Sequence, residues 1–257
     1  GRAGRAGNAN DGGGRDGMAE RAAIVTGASS GIGLAIAKML GEEGHGLTIA
    51  SRRPEKLEPA AEALRAAGVA VEAVPGNVAD EDIVKEIVQR HRDTYGRLDV
   101  LVNNAGLGIG AAVAEIETKR LDMQLDVNLR SYVLFYRECA DMLRAAGAEH
   151  RNAQVVNTAS VAGKSGQAWL SVYAATKFGV VGFTQAMNKE LGDEGIKSCA
   201  LCPAFVDTAM TDFVKGEVSA EEMIRPEDIA ESVRMLLHVS PACVIPEIIY
   251  QRPGEGL

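Results

Sequence analysis

Tyr173 and Lys177 stand four residues apart in Tyr-Ala-Ala-Thr-Lys, and Ser160 precedes the tyrosine by thirteen residues. Residues four apart on a helix share one face, so this phenol and ammonium can converge on one small volume. An isolated tyrosine titrates near ~10, which leaves about one in a thousand ionised at pH 7. A cationic neighbour favours the phenolate and is expected to make Tyr173 a usable proton donor or acceptor. A serine hydroxyl beside it can hydrogen-bond an oxygen on which charge develops. On its own, the pair is equally compatible with a structural contact on a helix surface, so its meaning depends on the elements around it.

The segment Thr26 to Gly33 reads Thr-Gly-Ala-Ser-Ser-Gly-Ile-Gly, between an apolar run at Ala22 to Thr26 and helical spacing at Leu34 to Leu40. A glycine turn in that strand-to-helix context suits a dinucleotide pyrophosphate, received by amides at the helix start. Gly27 permits the tight turn, Gly31 the close backbone approach and Gly33 the packing of helix on sheet. Ser29, Ser30 and Ile32 complete the expected cradle. No Gly-Lys-Ser/Thr sequence follows the glycines, which argues against nucleotide hydrolysis. The second strand ends in Ser51, Arg52 and Arg53. A carboxylate there would take the ribose hydroxyls and repel an added phosphate; guanidiniums favour phosphate, and hence NADP over NAD, with Arg52 the first choice. The alternative is that the arginines only face solvent. Asn77, followed by Val78, can hydrogen-bond an adenine edge. Asn104, Ala105 and Gly106 end the fourth strand at the carboxyl edge, where ligands collect.

With a dinucleotide beside it, the pair acquires a chemistry: Tyr173 supplies a proton in the reduction direction, Lys177 lowers its pKa and holds the nicotinamide ribose, and Ser160 binds the substrate oxygen. Asn128, inside a long helical stretch, can hold a water linking Lys177 to solvent. Gln167, Trp169 and Phe205 are expected at the substrate, with Lys164, Leu170, Leu107 to Ile109 and Met210 as further walls. Ser160 lacks a Gly-x-Ser-x-Gly elbow, and His45, His91, His150 and His238 form no ligand motif, so no metal is expected and each histidine reads as solvated or locally bonded.

Seven apolar runs, at Ala22 to Thr26, Leu47 to Ala50, Val69 to Val74, Leu98 to Val102, Gln154 to Thr158, Lys197 to Leu201 and Cys243 to Ile249, alternate with helical segments. The helices are expected at Leu34 to Leu40, Glu55 to Ala67, Asp80 to Tyr95, Lys119 to Arg144, Val172 to Leu191 and Glu227 to Leu237. This order predicts an α/β three-layer sandwich with a mostly parallel sheet. No linker divides the body, so residues 18–257 read as one domain. Within it, 205–225 is either a mobile lid over an apolar pocket or a surface helix. Residues 1–17 hold seven glycines and three arginines without periodicity, and read as a disordered leader or a remnant of expression. The net charge of -8 argues against nucleic-acid or anionic-lipid binding. No apolar run reaches the ~20 residues of a membrane span. Cys139, Cys199, Cys202 and Cys243 lack zinc spacing and read as buried thiols, fitting a reducing, cytoplasmic setting.

These motifs resemble the classical short-chain dehydrogenase/reductase family across roughly Arg21 to Ala230, nearest in flavour to the 3-oxoacyl-carrier-protein reductase group. The resemblance implies a seven-stranded Rossmann-like sheet, a homotetramer or homodimer, and hydride transfer between a nicotinamide cofactor and a carbonyl or alcohol. Its catalytic asparagine, serine, tyrosine and lysine fall on Asn128, Ser160, Tyr173 and Lys177. Pro203, Val206 and Thr208 correspond to the segment that meets the carboxamide. An apolar ketone, a hydroxysteroid-like alcohol or a 3-oxoacyl thioester would suit the pocket; NAD-dependent alcohol oxidation, an epimerase or dehydratase, and a non-catalytic dinucleotide sensor are the other readings. The chain departs from the family at Asn77, often aspartate, at Ala204, usually glycine, and at Pro246, which suggests an edge or interrupted strand. A surplus at Ala146 to Asn152 is expected in a surface loop.

Overall fold

Ala22 to Val25 and Leu47 to Ala50 are buried without alternation because both faces of their strands are covered. In the computed structural model, which describes residues 20–214, 216 and 218–256, Ala23 and Val25 pack on one helical layer and Ile24 on the other. The expectation for residues 1–17 lies outside the described residues.

The chain runs β1 (Arg21–Thr26), α1 (Gly31–Glu42), β2 (His45–Ser51), α2 (Pro54–Ala66), β3 (Val71–Pro75), α3 (Glu81–Tyr95) and β4 (Val100–Asn103). It continues with α4 (Thr118–Leu125), α5 (Ser131–His150), β5 (Ala153–Thr158), α6 (Ser171–Leu191), β6 (Ile196–Pro203), α7 (Pro226–His238) and β7 (Glu247–Tyr250). The seven strands form one sheet in the order β3-β2-β1-β4-β5-β6-β7, parallel throughout. Residues of α1, α2 and α7 fill one face around Ile36, Leu40 and Ile229. Those of α3 and α5 fill the other around Ile87, Phe135 and Leu143, and α6 adds Val180 and Val181. This is the single-domain Rossmann-like sandwich expected from the alternation. The strand order reverses between β1 and β4, and the carboxyl ends of these strands open the crevice in which such sheets bind ligands.

Several local expectations change. The helix expected over Lys119 to Arg144 is continuous but widens at Asp126–Arg130 into a π turn before α5. The surplus at Ala146 to Asn152 is not a loop: α5 extends through His150, with Ala146 and Gly147 buried and Arg151 in the left-handed region closing the helix. Pro246 stands just before edge strand β7 instead of interrupting it, and its carbonyl accepts from Ala200 N at 3.0 Å. Cys139, Cys199 and Cys202 are buried as read, whereas Cys243 is half-exposed. His91 is fully buried, its ring bonded to Thr48 Oγ1 and the Arg97 carbonyl, each at 2.8 Å. The described residues of 205–225 hold 3-10 turns at Ala209–Val214 and Ala220–Glu222, and a parallel bridge joins Val206 to Ile224. No helix of the described residues is long and apolar enough to cross a membrane.

Candidate active site

Gly27 and Gly31 adopt φ of 66° and 56°, a region that L side chains rarely enter. At Gly33 the constraint is contact, because a Cβ there would lie 2.4 Å from the Gly27 carbonyl oxygen and 2.5 Å from Asn104 Nδ2. The turn therefore lies flat against α1. Ser30 caps α1 by backbone position but makes no side-chain cap bond, which leaves the first amides available to an anion. Ser29 Oγ and Ser51 Oγ are 2.9 Å apart and tie the turn to β2. Ile32 is half-buried beside the apolar core. Arg52 and Arg53 are exposed just beyond Ser51, and neither forms an ion pair with another described residue. These features fit a nicotinamide dinucleotide.

The remaining cofactor-side residues divide. Asn77 is exposed, and its Oδ1 accepts from Ala79 N at 3.3 Å. Val78 packs its side chain in the core with Val74 and Val84. Asn104 is occupied internally: Nδ2 donates to the Thr26 carbonyl at 3.1 Å and Oδ1 accepts from Thr158 Oγ1 at 3.1 Å. It locks the glycine turn to β5. Ala105 N donates to Thr26 Oγ1 at 3.0 Å. A Cβ on Gly106 would lie 3.6 Å from Lys177 Nζ and 3.5 Å from Asn128 Oδ1, so this glycine sits where the two halves of the site meet. Pro203 and Val206 are buried, and the methyl of Thr208 leans over Gly31, 2.9 Å from where a Cβ would stand.

Ser160 follows β5 in extended conformation and caps the turn Val161–Gly163, its Oγ accepting from Ala162 N at 3.1 Å and donating to the Pro203 carbonyl at 3.4 Å. Tyr173 and Lys177 lie one turn apart near the start of α6. The Ser160 hydroxyl is near enough to the Tyr173 phenol to influence its ionisation, and the Lys177 ammonium stands beside the same ring, so the three residues do converge. Lys177 Nζ stands 5.7 Å from the Tyr173 ring centroid and donates to the Thr158 carbonyl at 2.7 Å. The expectation that lysine would depress the tyrosine pKa fails in this state. Burial raises the Tyr173 pKa, and the nearby Ser160 hydroxyl only partly opposes it. Burial likewise lowers the Lys177 pKa to about 8. Desolvation pushes both groups toward neutrality, and the lysine proton is directed at the Thr158 carbonyl.

Asn128 is fully buried in the π turn, a distortion that recurs at functional sites. Its Oδ1 accepts from Leu107 N at 2.8 Å while Nδ2 donates to the Leu107 carbonyl at 2.8 Å and to Thr176 Oγ1 at 3.2 Å. It thereby holds the loop after β4 against α6. The spacing argument passed over Thr176, which lies in the Tyr-Lys motif itself, and Thr158, whose carbonyl orients the lysine. A threonine at that internal helical position was the available signal for the first; backbone roles leave none for the second.

On the substrate side, Trp169 is 62% exposed with φ of 69°, its carbonyl accepting from Ala111 N at 2.9 Å. Its ring presses on Gly110, where a Cβ would lie 2.4 Å away. A small cavity beside it is lined by Ile109, Ala111, Arg120, Gln124, Trp169 and Val172. Gln167 is exposed on the preceding turn. Phe205 is drawn to the C-terminal segment, with the Arg252 guanidinium 5.7 Å from its ring centroid. Lys164 pairs with Glu247 at 2.9 Å, which spends its charge inside the fold. Met210 is exposed. Among the described residues no cluster of His, Cys, Asp or Glu could hold a metal ion.

Comparison with known proteins agrees with this geometry. A protein of Streptomyces virginiae named "Monensin polyketide synthase putative ketoacyl reductase" is 40% identical over 201 residues, 78% of this chain and 76% of its own length. A "Putative ketoacyl reductase" of Streptomyces coelicolor is 36% identical over 254 residues, covering 91% and 96%. A tryptophan-substituted actinorhodin polyketide ketoreductase, solved with NADPH, superposes with a TM-score of 0.81 at 34% identity, over 91% of this chain and 96% of that one. An alcohol dehydrogenase from the archaeon Thermococcus sibiricus, complexed with 5-hydroxy-NADP, gives 0.81 at 28% identity, over 91% and 99%. Residues 21–218 match the family described as short chain dehydrogenase. With the glycine turn, the parallel sheet and the Ser-Tyr-Lys cluster in place, the chain belongs to the short-chain dehydrogenase family, whose members are oxidoreductases.

Proposed function

We propose that this protein is an NADP(H)-dependent carbonyl reductase, acting on an apolar ketone, a hydroxysteroid-like or a 3-oxoacyl substrate. The observation that carries the reading is the convergence of Ser160, Tyr173 and Lys177 at the carboxyl end of β5, beside the glycine turn. The two ketoacyl reductase names among the Streptomyces relatives favour the 3-oxoacyl class within that range.

A bound nicotinamide supplies the hydride for reduction. The chain's part is to bind, orient and move the proton. The α1 amides and Ser29, Ser30 and Ile32 receive the pyrophosphate, and Arg52, with Arg53 beside it, takes the ribose phosphate. Asn77 and the main chain at Val78 flank the adenine, Asn104 to Gly106 leave room beside the adenosine, and Pro203, Val206 and Thr208 face the carboxamide. Ser160 hydrogen-bonds the substrate oxygen, to which Tyr173 delivers its hydroxyl proton. Lys177 holds the ribose and replenishes that proton, and Asn128 orders a water that connects Lys177 to solvent. Gln167, Trp169 and Phe205 border the substrate. In this reading residues 18–257 are one catalytic domain with a lid over 205–225, assembled as a homotetramer or homodimer in the cytoplasm.

The test is NADPH- and NADH-dependent reduction of a 3-oxoacyl thioester and a panel of cyclic ketones, on wild type and Arg52→Asp. Charged hydrogen bonds of this kind correspond to about 10- to 100-fold in affinity. NADPH preference in the wild type, lost by that factor in the variant, is the expected result. Equal use of NADH by both proteins would remove the phosphate role of Arg52.

A further inference from the structure

The Lys177 ammonium is flanked by a second aromatic ring that the reaction itself does not require. Its Nζ lies 5.8 Å from the centroid of Tyr132, close to its distance from Tyr173. Tyr132 is fully buried on α5, four residues beyond Asn128. Its hydroxyl donates to the carbonyls of Ala105 and Thr158, both at 3.2 Å. The Thr158 carbonyl therefore receives two donors, the Tyr132 hydroxyl and Lys177 Nζ. One side chain thus joins the ends of β4 and β5 to the cation of the site.

The groups facing Lys177 are few. Tyr173 comes from its own helix and Tyr132 from α5. Cys202 comes from β6, its thiol pushed up to about 12 by burial and so neutral near pH 7. Lys164 and Glu247 lie beyond Cys202 and pair with each other. No carboxylate of the described residues pairs with Lys177. A buried ammonium without an anionic partner is costly, and an aromatic face is attractive to a cation, more so when desolvated.

We infer that Tyr132 is a positioning residue for Lys177: its ring holds the ammonium in the charged form, and its hydroxyl fixes the carbonyl that orients it. This rests on Lys177 acting as proposed above, but the main readout does not require activity. The Lys177 side chain is followed by ¹³C NMR in lysine-labelled protein, assigned with Lys177→Arg, through a pH titration. Tyr132→Phe keeps the ring but frees the Thr158 carbonyl, so it should alter the Lys177 Cε chemical shift while moving the midpoint less than loss of the ring does. Tyr132→Met removes the ring, and should lower the midpoint by about one pH unit. Trifluorinated phenylalanine at position 132 keeps the shape while cancelling the ring's negative face. It should reproduce the shift even where the methionine variant fails to fold. The alkaline limb of kcat/KM should move down with the midpoint. A midpoint unchanged by ring fluorination would overturn the inference. Loss of all carbonyl reductase activity in the wild type would instead overturn the reading of the site, and the NMR midpoint would still decide the role of Tyr132.

Discussion

Gly33→Ala adds one methyl group at the most crowded point of the glycine turn. The new Cβ would stand 2.4 Å from the Gly27 oxygen, 2.8 Å from the Gly27 carbon and 2.5 Å from Asn104 Nδ2. Two of those atoms are backbone, so no side-chain rotation relieves the contact. The turn must move off α1, and the Asn104 amide must leave the Thr26 carbonyl that it now reaches at 3.1 Å. Overpacking of this kind costs about 1–3 kcal/mol. For a chain of this size each kcal/mol lowers Tm by about 2–4 °C, so the expected drop is about 2–12 °C. The same displacement moves the amides that would bind the pyrophosphate, so NADPH should weaken more than the stability loss alone would suggest. Gly182→Ala is the internal comparison: it lies in α6 with open space around it, and alanine there should be neutral or stabilising by up to about 1 kcal/mol. Calorimetry and NADPH fluorescence titration read both variants. Wild-type Tm and wild-type affinity in Gly33→Ala would refute the close-packing argument.

Tyr173→Phe removes the proposed proton donor while keeping the ring, and should lower kcat at least ~100-fold with NADPH affinity changed less than about twofold; turnover that survives would remove the tyrosine from the proton transfer. His91 gives a pH prediction for stability. Burial lowers its pKa from 6.5 to about 4 in the fold, so the neutral ring is the folded form and protonation favours unfolding. Its contribution is complete above pH ~6.5 and declines as pH falls toward about 4, by about 3 kcal/mol in all. Urea denaturation of wild type and His91→Gln across that window should show a shallower slope in the variant, and parallel slopes would exclude the buried histidine as the cause.

The parts of the molecule readable from its sequence are those fixed over short distances. The four-residue step from Tyr173 to Lys177 and the strand-turn-helix around Gly27 are local, and the apolar runs announce a sheet covered on both faces. Tyr132 and Thr158 escaped because their roles arise only when α5 is laid across the ends of β4 and β5. The packing of α3 takes the Val78 side chain into the core, which its place after β3 does not announce. The sign of the Tyr173 shift is the sharper case. Charge proximity can be inferred from spacing, whereas desolvation depends on how many layers cover a group, which only the fold supplies. Here the covering wins: phenol and amine are each driven toward the uncharged state, and the amine spends its hydrogen bond on Thr158.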